Sequence, residues 1–196
     1  EYVGADGQRH AVPPTLVITA VAHVPDADHC ITPDLAEPGN VLVLIGQTET
    51  EFAGSHLDHV NGEPRTVGVA PAPDPDAPET YRHLHAAMRA GLVVACHDVS
   101  EGGVAVALAE MCIAGRLGAE VDTLPHDDLT TALFSESSGR LIVEVRPRSL
   151  DAFMKFMGRT AARLGTVTHD SLLSIAGVEP IPVDRLADTF NDGGAR

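Results

Sequence analysis

"LVVACHDVSEGGVAVALAEMCIAG", residues 92–115, is the stretch on which the fold turns. An apolar run, LVVAC, ends in His97, Asp98, Ser100 and Glu101. Two glycines follow, and then a second apolar run in which Val104, Leu108, Met111 and Cys112 recur at helical spacing. The pattern predicts a buried strand, a turn and a helix that Gly115 stops. Ser100 is a natural N-cap, its hydroxyl accepting from a first-turn N–H. Gly102 and Gly103 remove Cβ atoms where the backbone turns, so another group can come close. The free N–H groups and positive dipole end of a helix start suit a phosphate. Asp98 and Glu101 could then hold a Mg²⁺ that bridges phosphate oxygens. A plainer reading stands beside this one: Ser100 caps the helix, the glycines let it pack on the sheet, and His97 and Asp98 bond locally.

Further elements alternate on both sides of this joint. TLVITAVAHV (15–24) and VLVLIG (41–46) read as buried strands. A short helix is expected around 54–60, with its start at Ser55. The proline-rich 69–80 is a loop, and YRHLHAAMRAG is a helix closed by Gly91. Downstream come a strand GAEVD, a helix HDDLTTALFSES and a strand GRLIVEVRP (139–147). An amphipathic helix is expected over 149–165, with Leu150, Phe153, Met154, Met157, Ala161 and Leu164 on one side. TVTHD and SLLSIAGV predict a final pair of strands, and PVDRLADTF a terminal helix. Strands alternate with helices, but the last two strands are adjacent. The expected class is therefore α+β: a three-layer α/β/α domain with a mixed sheet. Its expected limits are residues 15–190, after a polar connector over 1–14 and before a frayed tail over 191–196.

Composition narrows the function. Apolar residues make up 44% of the 196, enough for a sizeable core. Asp and Glu outnumber Lys and Arg by 28 to 13, for a net charge of -15. Such a surface repels nucleic-acid backbones and anionic lipid, so neither is an expected partner. Cys30, Cys96 and Cys112 are scattered, which argues against a disulfide framework or a zinc site. With no signal peptide and no membrane-spanning run, the expected compartment is the cytoplasm.

Other stretches carry chemistry less sharply. LFSESSGR (133–140) sets Ser135, Glu136, Ser137 and Ser138 before Arg140, a cluster suited to a sugar or phosphate. It reads equally as a solvated turn with an exposed arginine. IGQTETEFAGSHL (45–57) lacks the lysine of a P-loop. His56 and His59, and His83 and His85, lack a third metal ligand. Cys96 beside His97 reads as a buried structural thiol rather than a nucleophile.

Taken in order, PPTLVI, GNVLVLIGQTETEFAGSHL, GLVVACHDVSEGGVAVALAEM and LFSESSGRLIVEV resemble the C-terminal region of the phosphoribosylformylglycinamidine synthase family. The resemblance runs from about Gly7 to the terminal helix. HDVSEGG and SESSGR look like the second of the two pseudo-repeated halves of that enzyme. The resemblance implies an AIR synthetase C-terminal-domain-like fold. The implied reaction is an ATP-dependent ligation in de novo purine biosynthesis. It converts formylglycinamide ribonucleotide and glutamine-derived ammonia to formylglycinamidine ribonucleotide. ATP and Mg²⁺ would serve the full-length enzyme, with no cofactor assigned to this stretch alone. Expected partners are upstream domains of the same polypeptide, with a glutaminase and a small accessory subunit where the parent is multi-subunit.

The same resemblance places the catalytic histidine and the Mg²⁺ ligands upstream, so no catalytic or metal-binding residue is assigned here. Asp98, Ser100, Glu101, Gly102 and Gly103 are the expected nucleotide-phosphate contacts. Ser135, Glu136 and Ser137 are the expected substrate-side residues, although Ser138 departs from the family's glutamine. Two alternatives remain. One is another enzyme of the superfamily, such as AIR synthetase, a hydrogenase maturation factor or thiamine monophosphate kinase. The other is a non-catalytic association module.

Overall fold

A computed structural model describes residues 2–11, 17–62 and 69–193. The chain divides into two units, residues 1–30 and 31–196. In the first, β1 (Tyr2–Val3) pairs antiparallel with β2 (Arg9–His10), turning at Gly7 with φ 74°. Residues 17–24, expected as a buried strand, carry no helix or strand and are exposed. Residues 15 and 16 of that expectation lie outside the described residues. A 3-10 turn, Ala27–His29, is capped by the Asp26 carboxylate.

The second unit is built on a seven-stranded sheet. Its strands are β3 (Val41–Ile45), β4 (Ala95–Asp98), β5 (Gly118–Val121), β6 (Leu141–Val145), β7 (Ala161–Thr168), β8 (Leu172–Ile175) and β9 (Ile181–Pro182), in the order β4-β6-β3-β7-β5-β8-β9. Only the β5–β8 pair is parallel, so the sheet is mixed, as expected. Helices α1 (His56–Asn61), α2 (Ala77–Arg89), α3 (Gly103–Gly115), α4 (Leu129–Phe134), α5 (Leu150–Met157) and α6 (Val183–Asp192) complete it.

β3 is apolar throughout because both of its faces are covered. Val41, Val43 and Ile45 pack with Leu84 and Ala87 of α2 and with Phe153 and Met157 of α5. Leu42 and Leu44 pack on the other side with Val104, Leu108 and Met111 of α3. Two cores, one on each face, make the three layers. Fully burying a side chain such as Leu108 or Phe153 contributes about 1.5–3 kcal/mol.

On β6 the alternation places one carboxylate inside. Glu144 is fully buried and accepts from Ala36 N–H at 2.8 Å, Glu37 N–H at 3.1 Å and the Asn40 side-chain amide at 2.6 Å. It thereby pins the loop that leads into β3.

The structure corrects three expectations. The helix expected over 149–165 ends at Met157, where Gly158 takes φ 63°, and the chain re-enters the sheet as β7. Ala161 and Leu164 belong to that strand. The two strands expected to close the sheet, β7 and β8, are not neighbours, because β5 lies between them, and β8 pairs on its other side with β9. Residues 169–171 arch over the start of β5, where a Cβ on Gly118 would meet Thr168 Oγ1, Asp170 Oδ1 and the Leu172 carbonyl. Nor does Gly115 stop α3. Arg116 does, at φ 53°, while Gly115 lets the Leu35 backbone press against the helix.

Candidate functional site

The sheet brings the singled-out stretches together. β6 runs antiparallel to both β3 and β4 and lies between them, so it starts where they finish. The loop after β3 (46–55), the loop after β4 (99–102) and the turn before β6 (135–140) therefore meet at one end of the sheet. No segment shorter than the whole chain reveals this, since it depends on strand order.

Arg140 lies at the centre of the joint, 2% exposed. Its Nε donates to the Ser137 carbonyl at 2.9 Å, and its terminal nitrogens to Thr48 Oγ1 at 2.9 Å and the Ser135 carbonyl at 2.5 Å. Burial pushes its pKa down to about 10, with Glu51 and Glu136 opposing the change. The exposed arginine expected here is thus an internal brace. Ser135 and Ser137 are buried as well. Ser135 donates to the Glu49 carbonyl at 2.5 Å, and Ser137 Oγ accepts from Glu49 N–H at 3.0 Å. The Ser138 hydroxyl donates to the Ala72 carbonyl. Among the expected substrate-side residues, Glu136 is the one that also takes a bond from the loop after β4.

Glu136 Oε1 accepts from Gly102 N–H and from His56 N–H, each at 2.8 Å, with His56 Nδ1 at 3.6 Å. A carboxylate of the chain itself thus sits where a helix-start anion would. Gly102 is the N-cap of α3, with φ 76° and no side-chain cap. Ser100, expected as the cap, instead donates its hydroxyl to Asp98, and its carbonyl accepts from Gly103 N–H at 3.1 Å. Gly103 has φ 68°, and a Cβ there would come within 2.6 Å of the Leu133 and Ser135 carbonyls. The close approach that the glycine pair permits is that of the chain's own 133–135 backbone.

A cleft of about 520 Å³ opens beside the joint. Val60 and Val106 form its apolar wall, and His56, His97, Asp98 and Glu110 its polar one. His97 bridges two carboxylates, with Nε2 2.9 Å from Glu110 Oε2 and Nδ1 3.3 Å from Asp98 Oδ1. The Ser100 hydroxyl, ahead of His97, holds Asp98 below the usual carboxylate range. Burial, with some help from Asp98, pushes the part-buried Cys96 thiol up to about 12.

These groups do not fit a triphosphate as they stand. The Gly102 and Gly103 N–H groups have internal acceptors, the Arg140 guanidinium is used up inside the joint, and the side chains facing the cleft include the acidic Asp98, Glu101 and Glu110. Among the described residues, no three His, Cys, Asp or Glu side chains gather to hold a metal ion. Among them too, no helix is long and apolar enough to cross a membrane. The Glu136 contacts and the Arg140–Thr48 bond left no signal in the sequence, because each joins loops far apart in the chain.

Comparison with known proteins agrees with this architecture. The chain is 36% identical over 175 residues to the phosphoribosylformylglycinamidine synthase subunit PurL of Lactobacillus helveticus. That match takes in 89% of this chain but spans only 23% of the relative's length. Thermotoga maritima PurL solved with FGAR superposes with a TM-score of 0.70 at 22% identity, covering 82% of this chain and 30% of that one. The same protein solved with ATP gives 0.64 at 23% identity, over 82% and 28%. At such identity the superpositions show the fold. Residues 37–177 match the family described as AIR synthase related protein, C-terminal domain, and the chain belongs to that family.

Proposed function

We propose that this chain is the C-terminal domain of a phosphoribosylformylglycinamidine synthase. The enzyme would use ATP to activate the formyl-amide oxygen of formylglycinamide ribonucleotide, and ammonia from glutamine would displace phosphate to give the amidine. The observation that carries this reading is 36% identity, sustained over 175 residues, to a relative bearing that name. The geometry supports it by bringing GQTETEFAGS, HDVSEGG and SESSGR to one joint at the end of the sheet.

On this reading the domain supplies one wall of the reaction cleft, and no group in it attacks or transfers a proton. Arg140, Ser135 and Ser137 hold the wall rigid, which preserves electrostatic preorganisation during reaction. Asp98, Ser100, Glu101 and Gly102 line the wall, and Gly103 packs behind it against the 133–135 backbone. A nucleotide phosphate would reach Gly102 N–H only by displacing Glu136. ATP and Mg²⁺ belong to the assembled enzyme, together with upstream domains, a glutaminase and a small accessory subunit. Three free cysteines fit a reducing, cytoplasmic setting.

The test is phosphate release from ATP by the polypeptide that carries this domain, assayed with its glutaminase and glutamine. Release that depends on formylglycinamide ribonucleotide is expected. Release that instead depends on formylglycinamidine ribonucleotide would move the chain to AIR synthetase, and no release with either substrate would sink the reading.

A further inference from the structure

Residues 17–24, VITAVAHV, are as rich in β-branched residues as any strand of the sheet, yet Val17, Ile18, Val21 and Val24 are 83%, 78%, 93% and 58% exposed. Among the described residues no strand pairs with them. In a strand, successive side chains take opposite faces. One face would then be Ile18, Ala20, Ala22 and Val24, apolar throughout. The other would be Val17, Thr19, Val21 and His23, partly polar. The first face suits a covering layer, and its two alanines let that layer come close.

The stretch also lies outside the domain proper. The family match begins at residue 37, and the compact second unit begins at Ile31. The chain spans 23% of the relative it resembles, so a protein of that length has most of its polypeptide elsewhere. A second copy of this chain is a poor occupant. Two such strands would pair their backbones and still leave both apolar faces without a third layer. An open sheet edge in a folded domain offers both the ladder and the cover.

We infer that residues 17–24 form a β-strand added to the edge of a sheet in the domain that precedes the family-matched region. Ile18, Ala20, Ala22 and Val24 then turn into that domain's core, and the polypeptide passes from one domain to the next near Cys30. The inference rests on the proposed membership of a longer enzyme, but not on the reaction that enzyme performs.

Amide hydrogen exchange tests it, without nucleotide or substrate, on the 196-residue chain and on the full-length polypeptide that carries it. In the chain alone, 17–24 should exchange at unprotected rates at every concentration. In the full-length polypeptide they should slow at least 100-fold, and Ile18→Lys should abolish that slowing while amides of β3 and α3 keep theirs. Unprotected amides at 17–24 in full-length wild-type protein would overturn the inference, whatever the variant does. So would protection in the chain alone. If that protection rose with concentration the occupant would be a second copy, and if it did not, the strand would pair within this chain. Protection in a polypeptide that makes no amidine would uphold the strand and refute the proposed reaction.

Discussion

Glu144 and Glu136 use one device in two settings. Each is a carboxylate that gathers N–H donors from loops distant in sequence. Glu144 is sealed inside the sheet layer and satisfied by three donors. Glu136, its side chain 15% exposed, holds two backbone donors beside an open cleft. Removing the fully buried Glu144 empties a site inside the sheet layer and strands the buried Asn40 amide, whereas at the open cleft, which His56 and Gly102 line, water can take the place of Glu136. The first carboxylate is therefore architecture. The second is a contact that can be exchanged.

Mutation should separate them sharply. Glu144→Ala leaves Ala36 N–H, Glu37 N–H and the Asn40 amide without their acceptor, and should cost about 3–5 kcal/mol in urea unfolding. A cost below about 1 kcal/mol would mean the loop simply rearranges. Gly103→Ala attacks the other setting: it forces a Cβ against the Leu133 and Ser135 carbonyls at positive φ. About 3 kcal/mol should be lost, and the Glu136 contact with it. If stability and the Gly102 amide shift both survive, the close packing of the two loops is not as described.

Glu136→Ala should cost only about 1 kcal/mol, because water can take over both donors. Exchange should quicken at His56 and Gly102 and stay unchanged at Ala36 and Glu37. Equal quickening at both sites would erase the distinction.

Ser100→Ala should have the smallest effect, read by NMR titration of Asp98. A folded-state pKa below the unfolded one stabilises the fold at pH above the ordinary carboxylate range. That stability is lost as pH falls through the depressed value. Removing the hydroxyl should raise the Asp98 pKa and shrink this contribution, and an unmoved titration would assign the shift to His97 instead.

The layers were legible wherever burial on two faces leaves a mark. VLVLI has no polar residue because two cores meet on it, and α3 shows its packing at Val104, Leu108 and Met111. β7 was hidden because Ala161 and Leu164 fall at helical spacing after Phe153 and Met157. A single positive φ at Gly158 decides against the helix. Residues 17–24 carried a strand pattern that no strand among the described residues meets, since a pattern states what a face requires and not where it is met. At the joint, the glycine pair correctly announced a close approach but not what approaches. Arg140 looked exposed because a cation opening a strand usually is, and the carbonyls of Ser135 and Ser137 with the Thr48 hydroxyl make it an interior group.

The arch of residues 169–171 over Gly118 also constrains how this half of the sheet can be assembled. Strands joined by three residues ordinarily zip to each other first, as a local hairpin. Here that hairpin would be wrong, because β5 occupies the gap of about 10 Å between them, two strand spacings wide. Three extended residues just reach across it. β5 pairs with β7 and β8 across about 50 residues of chain, as in Gly118 with Thr168 and Val121 with Ile175, so this half of the sheet closes through distant contacts. The short connection serves as a gauge: it fits only when the strand between is already seated.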